Sequence, residues 1–204
     1  MPPAARLVFF AMELRERILD AAAKVYAETG FRGATTRRIA ERAGVNEVTL
    51  FRQFGSKTRL LHEAIHCAGL SSNLCGLPAR PSDPSIELLE WAAANHAELF
   101  GRRSLIRTAM GEMEERPDLL PPEHSPALCA GRELRHYLAE LQRLEMIDAG
   151  TDVDAAATMF MGTLFADAMS RDILPAMYKH APEQTIELYV DLFVRAIGLK
   201  EPTT

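Results

Sequence analysis

The sequence predicts an all-α protein, with an N-terminal three-helix helix-turn-helix domain and a C-terminal helical bundle, about nine helices in all. Three observations carry this. Apolar residues recur at spacings of three and four along nearly the whole chain. Alternation of period two is missing almost everywhere, so no strand is expected. Gly, Pro and small polar residues cut the chain into helix-sized pieces.

The first helix is expected over about Glu13–Thr29, with Leu14, Ile18, Ala21, Ala22 and Val25 on one stripe. Gly30 stops it and Phe31 packs beneath. Thr35 caps a second helix over Thr36–Ala43, and Gly44 ends it. Asn46 caps a third over about Glu47–Gln53. Ser56 caps a fourth over about Lys57–Leu70. Residues 71–83 read as a loop, and Pro84 opens a helix to about Phe100. Another spans about Arg103–Glu115, followed by a Pro-rich loop over 116–125. Ser125-Pro126 opens a helix to about Arg143. Thr151 with Asp154 suggests a capping box for a helix to about Leu174, and Pro182 opens the last, which ends at Gly198.

The net charge is −5, yet its distribution is uneven. Residues 13–62 hold 10 Lys+Arg against 6 Asp+Glu, whereas residues 63–204 hold 12 against 22. The basic end suits phosphate, and the acidic remainder would stay off it. The three cysteines, Cys67, Cys75 and Cys129, give no disulfide framework and fit a reducing, cytoplasmic setting. The apolar run over residues 7–12 is too short for a signal peptide or a membrane span. Either a start at Met12 or a loose N-terminal arm accounts for residues 1–11.

Residues 34–51 have the layout of a helix-turn-helix, two short helices joined by a tight turn at Gly44. The second begins with small polar side chains and can enter a major groove by its N-terminus. Arginines 37, 38, 42 and 52 are read either as DNA contacts or as a solvated face.

The run from Ile18 to Leu61 resembles the TetR (tetracycline-repressor-like) family. The resemblance rests on the Ala-rich first helix ending in Gly30-Phe31, Thr35-Thr36, Ile39-Ala40, Ala43-Gly44-Val45, Thr49-Leu50 and Phe54-x-Ser56-Lys57 leading to Leu60-Leu61. It covers about a quarter of the chain, and implies a DNA-binding domain over 13–73 and a ligand-binding and dimerisation domain over 74–204. It implies a homodimeric transcriptional repressor that reads a palindromic double-stranded operator and is released by a largely apolar small-molecule effector. No cofactor, membrane partner or enzyme activity is expected.

By the same resemblance, Arg37 reaches a base edge or phosphate, and Thr35, Thr36 and Lys57 hold phosphates. Arg38 and Asn46 belong to the expected contact set. Glu47, Val48, Thr49 and Phe51 face the groove, with Arg52 and Gln53 flanking. The family usually has Tyr where this chain has Phe51. Glu47 either accepts from a cytosine amino group or only favours the helix dipole.

The resemblance also implies that the last two helices pair with their copies, here through Met159, Phe160, Thr163, Ile186, Tyr189, Val190, Phe193, Val194 and Ile197. An effector pocket is expected among Trp91, His96, Phe100, Arg107, Met110, Met113, His136, Tyr137, Met159 and Phe165. Both sets also read as plain core.

A second pattern competes. His62-Glu63-Ala64-Ile65-His66 fits H-E-x-x-H, the helical zinc-protease signature. A third histidine would fall at Ser72 and is absent, leaving Glu87 or Glu90 as carboxylate ligands. The alternative function is therefore a zinc-binding helical protein or hydrolase. The missing strands weigh against a hydrolase cleft.

Overall fold

A computed structural model describes residues 3–70, 76–116 and 126–200. Among them the regular elements are all helical: α1 (Pro3–Gly33), α2 (Thr36–Ala43), α3 (Glu47–Phe54), α4 (Lys57–Leu70), α5 (Pro84–Gly101), α6 (Arg103–Glu112), α7 (Pro126–Arg143), α8 (Val153–Ser170) and α9 (Pro182–Ala196). A 3-10 turn at Pro175–Met177 links α8 to α9. The all-α expectation is met. The expected loops at 71–83 and 116–125 lie partly outside the described residues, as does Cys75.

Most boundaries follow the expected punctuation, and the main differences lie in α1, α6 and α8. α1 begins ten residues before Glu13, at Pro3. Gly30 does break it, at φ 67°, but one further turn continues to Gly33. α6 stops at Glu112 rather than Glu115. α8 is capped by Asp152, whose carboxylate accepts from the Asp154 and Ala155 amides at 3.1 and 3.0 Å, not by Thr151. It also ends at Ser170, four residues short of the expected Leu174.

The chain forms two units. The first comprises the described parts of residues 1–71 and 104–125, the second those of 72–103 and 126–204. In the first, Ile18, Ala22, Val25 and Tyr26 of α1 close over Ile39, Leu50, Phe54, Leu60, Leu61 and Ile65, with Ala109 of α6 joining the same core. Each large apolar side chain buried here contributes about 1.5–3 kcal/mol, which holds the short α2 and α3 helical where propensity alone would not.

α6 is bound to α1 by polar contacts as well. The Glu112 carboxylate accepts from the Tyr26 hydroxyl at 2.9 Å and from the Phe31 amide at 2.7 Å. Thr108 donates to the Ala27 carbonyl. Most of α6 therefore belongs with the N-terminal unit.

The second unit packs α5 against α8 and α9, and α7 against α8. Phe160 stacks on Phe193 with ring centroids 4.2 Å apart, and on Trp91 at 6.5 Å. Three buried polar groups are satisfied at its centre. The Trp91 indole donates to Glu133, the Tyr137 hydroxyl donates to Glu87, and His96 meets Asp167 at 2.7 Å.

The residues of the expected pocket fall into three groups. Trp91, His96 and Tyr137 are buried core residues with their polar atoms already engaged. Phe100 stacks on His96 and is half-buried, as are Phe165 and Arg107. Met110, Met113, His136 and Met159 are exposed. The residues of the expected dimer set divide as well. Phe160, Ile186, Val190, Phe193 and Ile197 are buried within the protomer's own core, so they have no area left to bury against a copy. Tyr189, Val194 and Thr163 are half-buried, and only Met159 of that set is exposed. Helical spacing gives a residue's angle around the axis but not which neighbour covers it.

Candidate nucleic-acid interface

α2 and α3 form the helix-turn-helix, and their caps are those the sequence dictates. The Thr35 side chain accepts from the Arg38 amide at 3.3 Å. Gly44 ends α2 in the left-handed region at φ 66°, where any other residue would be strained. The Asn46 side chain accepts from both the amide and the hydroxyl of Thr49 at 2.9 Å. Asn46 and Thr49 thus fix the entry to α3.

α3 is amphipathic in an unusual sense. Its inner face, Leu50 and Phe54, is 2% exposed. Its outer face is apolar too: Val48 is 65% exposed and Phe51 50% exposed. Large apolar groups held out on a short helix among cations suit contact with base edges and thymine methyls. Arg52 is exposed beside them. Gln53 turns inward, with its side-chain oxygen buried, because it lies one turn on from Leu50.

The arginines divide. Arg37 is exposed at the start of α2, and its guanidinium pairs with Glu41 at 3.0 Å, which raises its pKa further. Arg38 donates to the Gly33 carbonyl at 3.3 Å. Arg42 pairs with Glu28 at 2.7 Å. The Arg37–Glu41 pair is a surface pair of the kind worth little, so a phosphate can displace it.

Thr36 and Glu47 are brought together. The Thr36 hydroxyl donates to the Glu47 carboxylate at 2.6 Å and joins α2 to α3. That arrangement takes the Thr36 proton away from a phosphate and gives Glu47 an internal partner, which neither expectation for Glu47 included. Both are half-buried polar residues of ordinary type, and only the folded turn reveals the pairing.

Lys57 opens α4 half-buried, with its Nζ 4.4 Å from the centroid of the Phe31 ring. Its pKa is lowered by burial and by Arg116, with Glu112 opposing. Sequence spacing did not single out Arg116 or Glu112, because they come from α6 and the residues just after it.

The competing histidine pair lies on α4. Glu63 is ion-paired with Arg15, and His62 and His66 are half-buried. Among the described residues, no group of three His, Cys, Asp or Glu side chains stands close enough to hold a metal ion. No helix among them is long and apolar enough to cross a membrane.

Comparison with known proteins agrees with this geometry. Residues 18–64 match the family described as bacterial regulatory proteins, tetR family. The chain is 29% identical over 184 residues to YvkB of Bacillus subtilis, an uncharacterized HTH-type transcriptional regulator, covering 90% of this chain and 96% of that one. It is 27% identical over 175 residues to the HTH-type transcriptional repressor Rv3405c of Mycobacterium tuberculosis, covering 80% and 90%. In fold it is similar to a TetR transcriptional regulator from Agrobacterium tumefaciens, at a TM-score of 0.72 and 22% identity, covering 92% and 96%. Residues 18–64 are thus similar to the DNA-binding region of the tetR family, and the chain is a DNA-binding transcriptional regulator.

Proposed function

We propose that this regulator is a repressor that reads a palindromic operator as a homodimer and is released by a small-molecule effector. The observation that carries the reading is the exposed Val48–Phe51 face of α3, held between capped ends. Arg37, Arg52 and Thr49 supply polar contacts around it, and Lys57 with Thr35 supplies phosphate contacts. The repressor direction is supported by the name of the relative Rv3405c.

Dimerisation is supported by the face of α8 and α9 that the protomer leaves uncovered. Met159, Gly162 and Ala166 are exposed on α8, and Leu188 and Leu192 on α9. Reading two half-sites requires two copies of α3 about 34–36 Å apart, the spacing of successive major grooves. An effector acts by favouring a different spacing.

The test is a DNase footprint over the DNA upstream of its own gene, with gel shifts of Val48→Ala, Phe51→Ala and Arg37→Ala. A protected, inverted-repeat sequence is expected, with each variant weaker by about 1–3 kcal/mol on it. Parental binding by all three variants would remove α3 and Arg37 from the interface.

A further inference from the structure

Arg116 lies one turn beyond Glu112, its amide donating to the Glu112 carbonyl at 2.9 Å. Its guanidinium carbon stands 3.7 Å from the centroid of the Phe31 ring. Lys57 stands 4.4 Å from the same centroid. One aromatic ring therefore gathers two cations from the two chain segments of the unit.

A single cation over Phe31 is explained by attraction to the ring. A second adds repulsion between like charges. Glu112 is one carboxylate against both, and it already accepts from the Tyr26 hydroxyl and the Phe31 amide. The depressed Lys57 pKa reports the same imbalance, after burial. An anion beside the pair would relieve it.

The pair also lies where an anion arrives. Lys57 opens α4, and Phe31 is five residues before Thr36, so within roughly 18 Å of the start of α2. We propose that Arg116 is a DNA-backbone contact from outside the helix-turn-helix, holding an operator phosphate next to the one held by Lys57. The proposal rests on the reading of Lys57 as a phosphate contact.

The experiment is fluorescence anisotropy of the full-length protein with a labelled duplex from upstream of its own gene, over a range of salt. An unrelated duplex of the same length runs alongside. Arg116→Gln and Arg116→Met are expected to lower the log–log salt slope by about 0.9 per protomer on both duplexes. Arg116→Lys is expected to keep the parental slope. Thermal midpoints are taken in parallel, and Arg116→Met keeps an apolar stem over Phe31, so loss of packing is separated from loss of charge. An unchanged slope in Arg116→Gln and Arg116→Met overturns the proposal. A slope lowered equally in Arg116→Lys also overturns it, since the charge would then not be the cause. A parent that binds neither duplex overturns the underlying DNA reading instead, a result distinct from either.

Discussion

Thr36 of α2 donates its hydroxyl proton to Glu47 of α3 over 2.6 Å, so the one acidic residue of the short third helix is tied to the helix before it. Glu47→Ala removes the acceptor and is expected to destabilise the protein by about 1 kcal/mol in urea denaturation. Glu47→Gln keeps an acceptor and is expected to stay near parental stability. Both remove a negative charge close to the DNA, so non-specific duplex binding tightens, most visibly at low salt. Parental stability and parental binding in Glu47→Ala would show that the bond contributes to neither.

The extent to which such features were legible in the sequence follows from their range. The caps at Thr35 and Asn46 and the left-handed Gly44 are local, set by residues within four positions, and reading the chain found them. Thr36–Glu47 spans eleven residues and depends on the angle between two helices. Glu112 and Phe31 are 81 residues apart, and nothing in the pattern of α6 marks its Glu112 as a partner of the first helix. The same limit separates the Phe193 and Met159 readings. Both lie on apolar stripes, and only the packed helices show that Phe193 is covered and Met159 is not.

Glu112 makes a second prediction. It holds the break in α1, where Gly30 sits at φ 67° and a Cβ would lie 2.8 Å from the Glu112 carboxylate oxygen. Gly30→Ala is therefore strained by its backbone and crowded against Glu112, and is expected to cost about 1–3 kcal/mol. Tyr26→Phe and Glu112→Gln are expected to be non-additive in a double-mutant cycle, because each removes part of one hydrogen-bonded set. Additive effects would mean that the Tyr26–Glu112 bond contributes nothing to stability.

Asp167 predicts a pH dependence. Its carboxyl is buried, which alone would raise its pKa. Hydrogen bonds from Arg171 and His96 outweigh the burial and hold it below the usual range. Arg171, just after α8, donates to both carboxylate oxygens, at 2.9 and 2.6 Å, and Tyr189 of α9 donates at 3.2 Å. A folded-state pKa below the unfolded value of about 3.9 gives stability that is present above that value. It is lost as pH falls through the folded pKa. Urea midpoints of the parent are expected to drop below about pH 4, with a shallower drop in Asp167→Asn. At neutral pH, Asp167→Asn is less stable than the parent because Arg171 is left with a neutral partner. An identical pH profile in the two proteins would show that Asp167 does not couple to folding.

The α8–α9 surface allows the dimer to be separated from the fold. Met159 is 55% exposed and Leu192 60% exposed in the protomer, so a charge at either is solvated as long as the protomer is alone. Phe193, one residue on, is 2% exposed and stacked on Phe160. Met159→Glu with Leu192→Glu is expected to yield a monomer by light scattering, since pairing two copies would bury four carboxylates without partners. Helix content of that monomer should match the parent's, and its affinity for a palindromic duplex should fall far more than for a single half-site. Phe193→Ala is expected to behave differently, losing about 3–5 kcal/mol of protomer stability through the cavity it leaves. A parental dimer in the Met159→Glu, Leu192→Glu variant would move the two-fold contact off this face, and with it the register in which two copies of α3 meet the DNA.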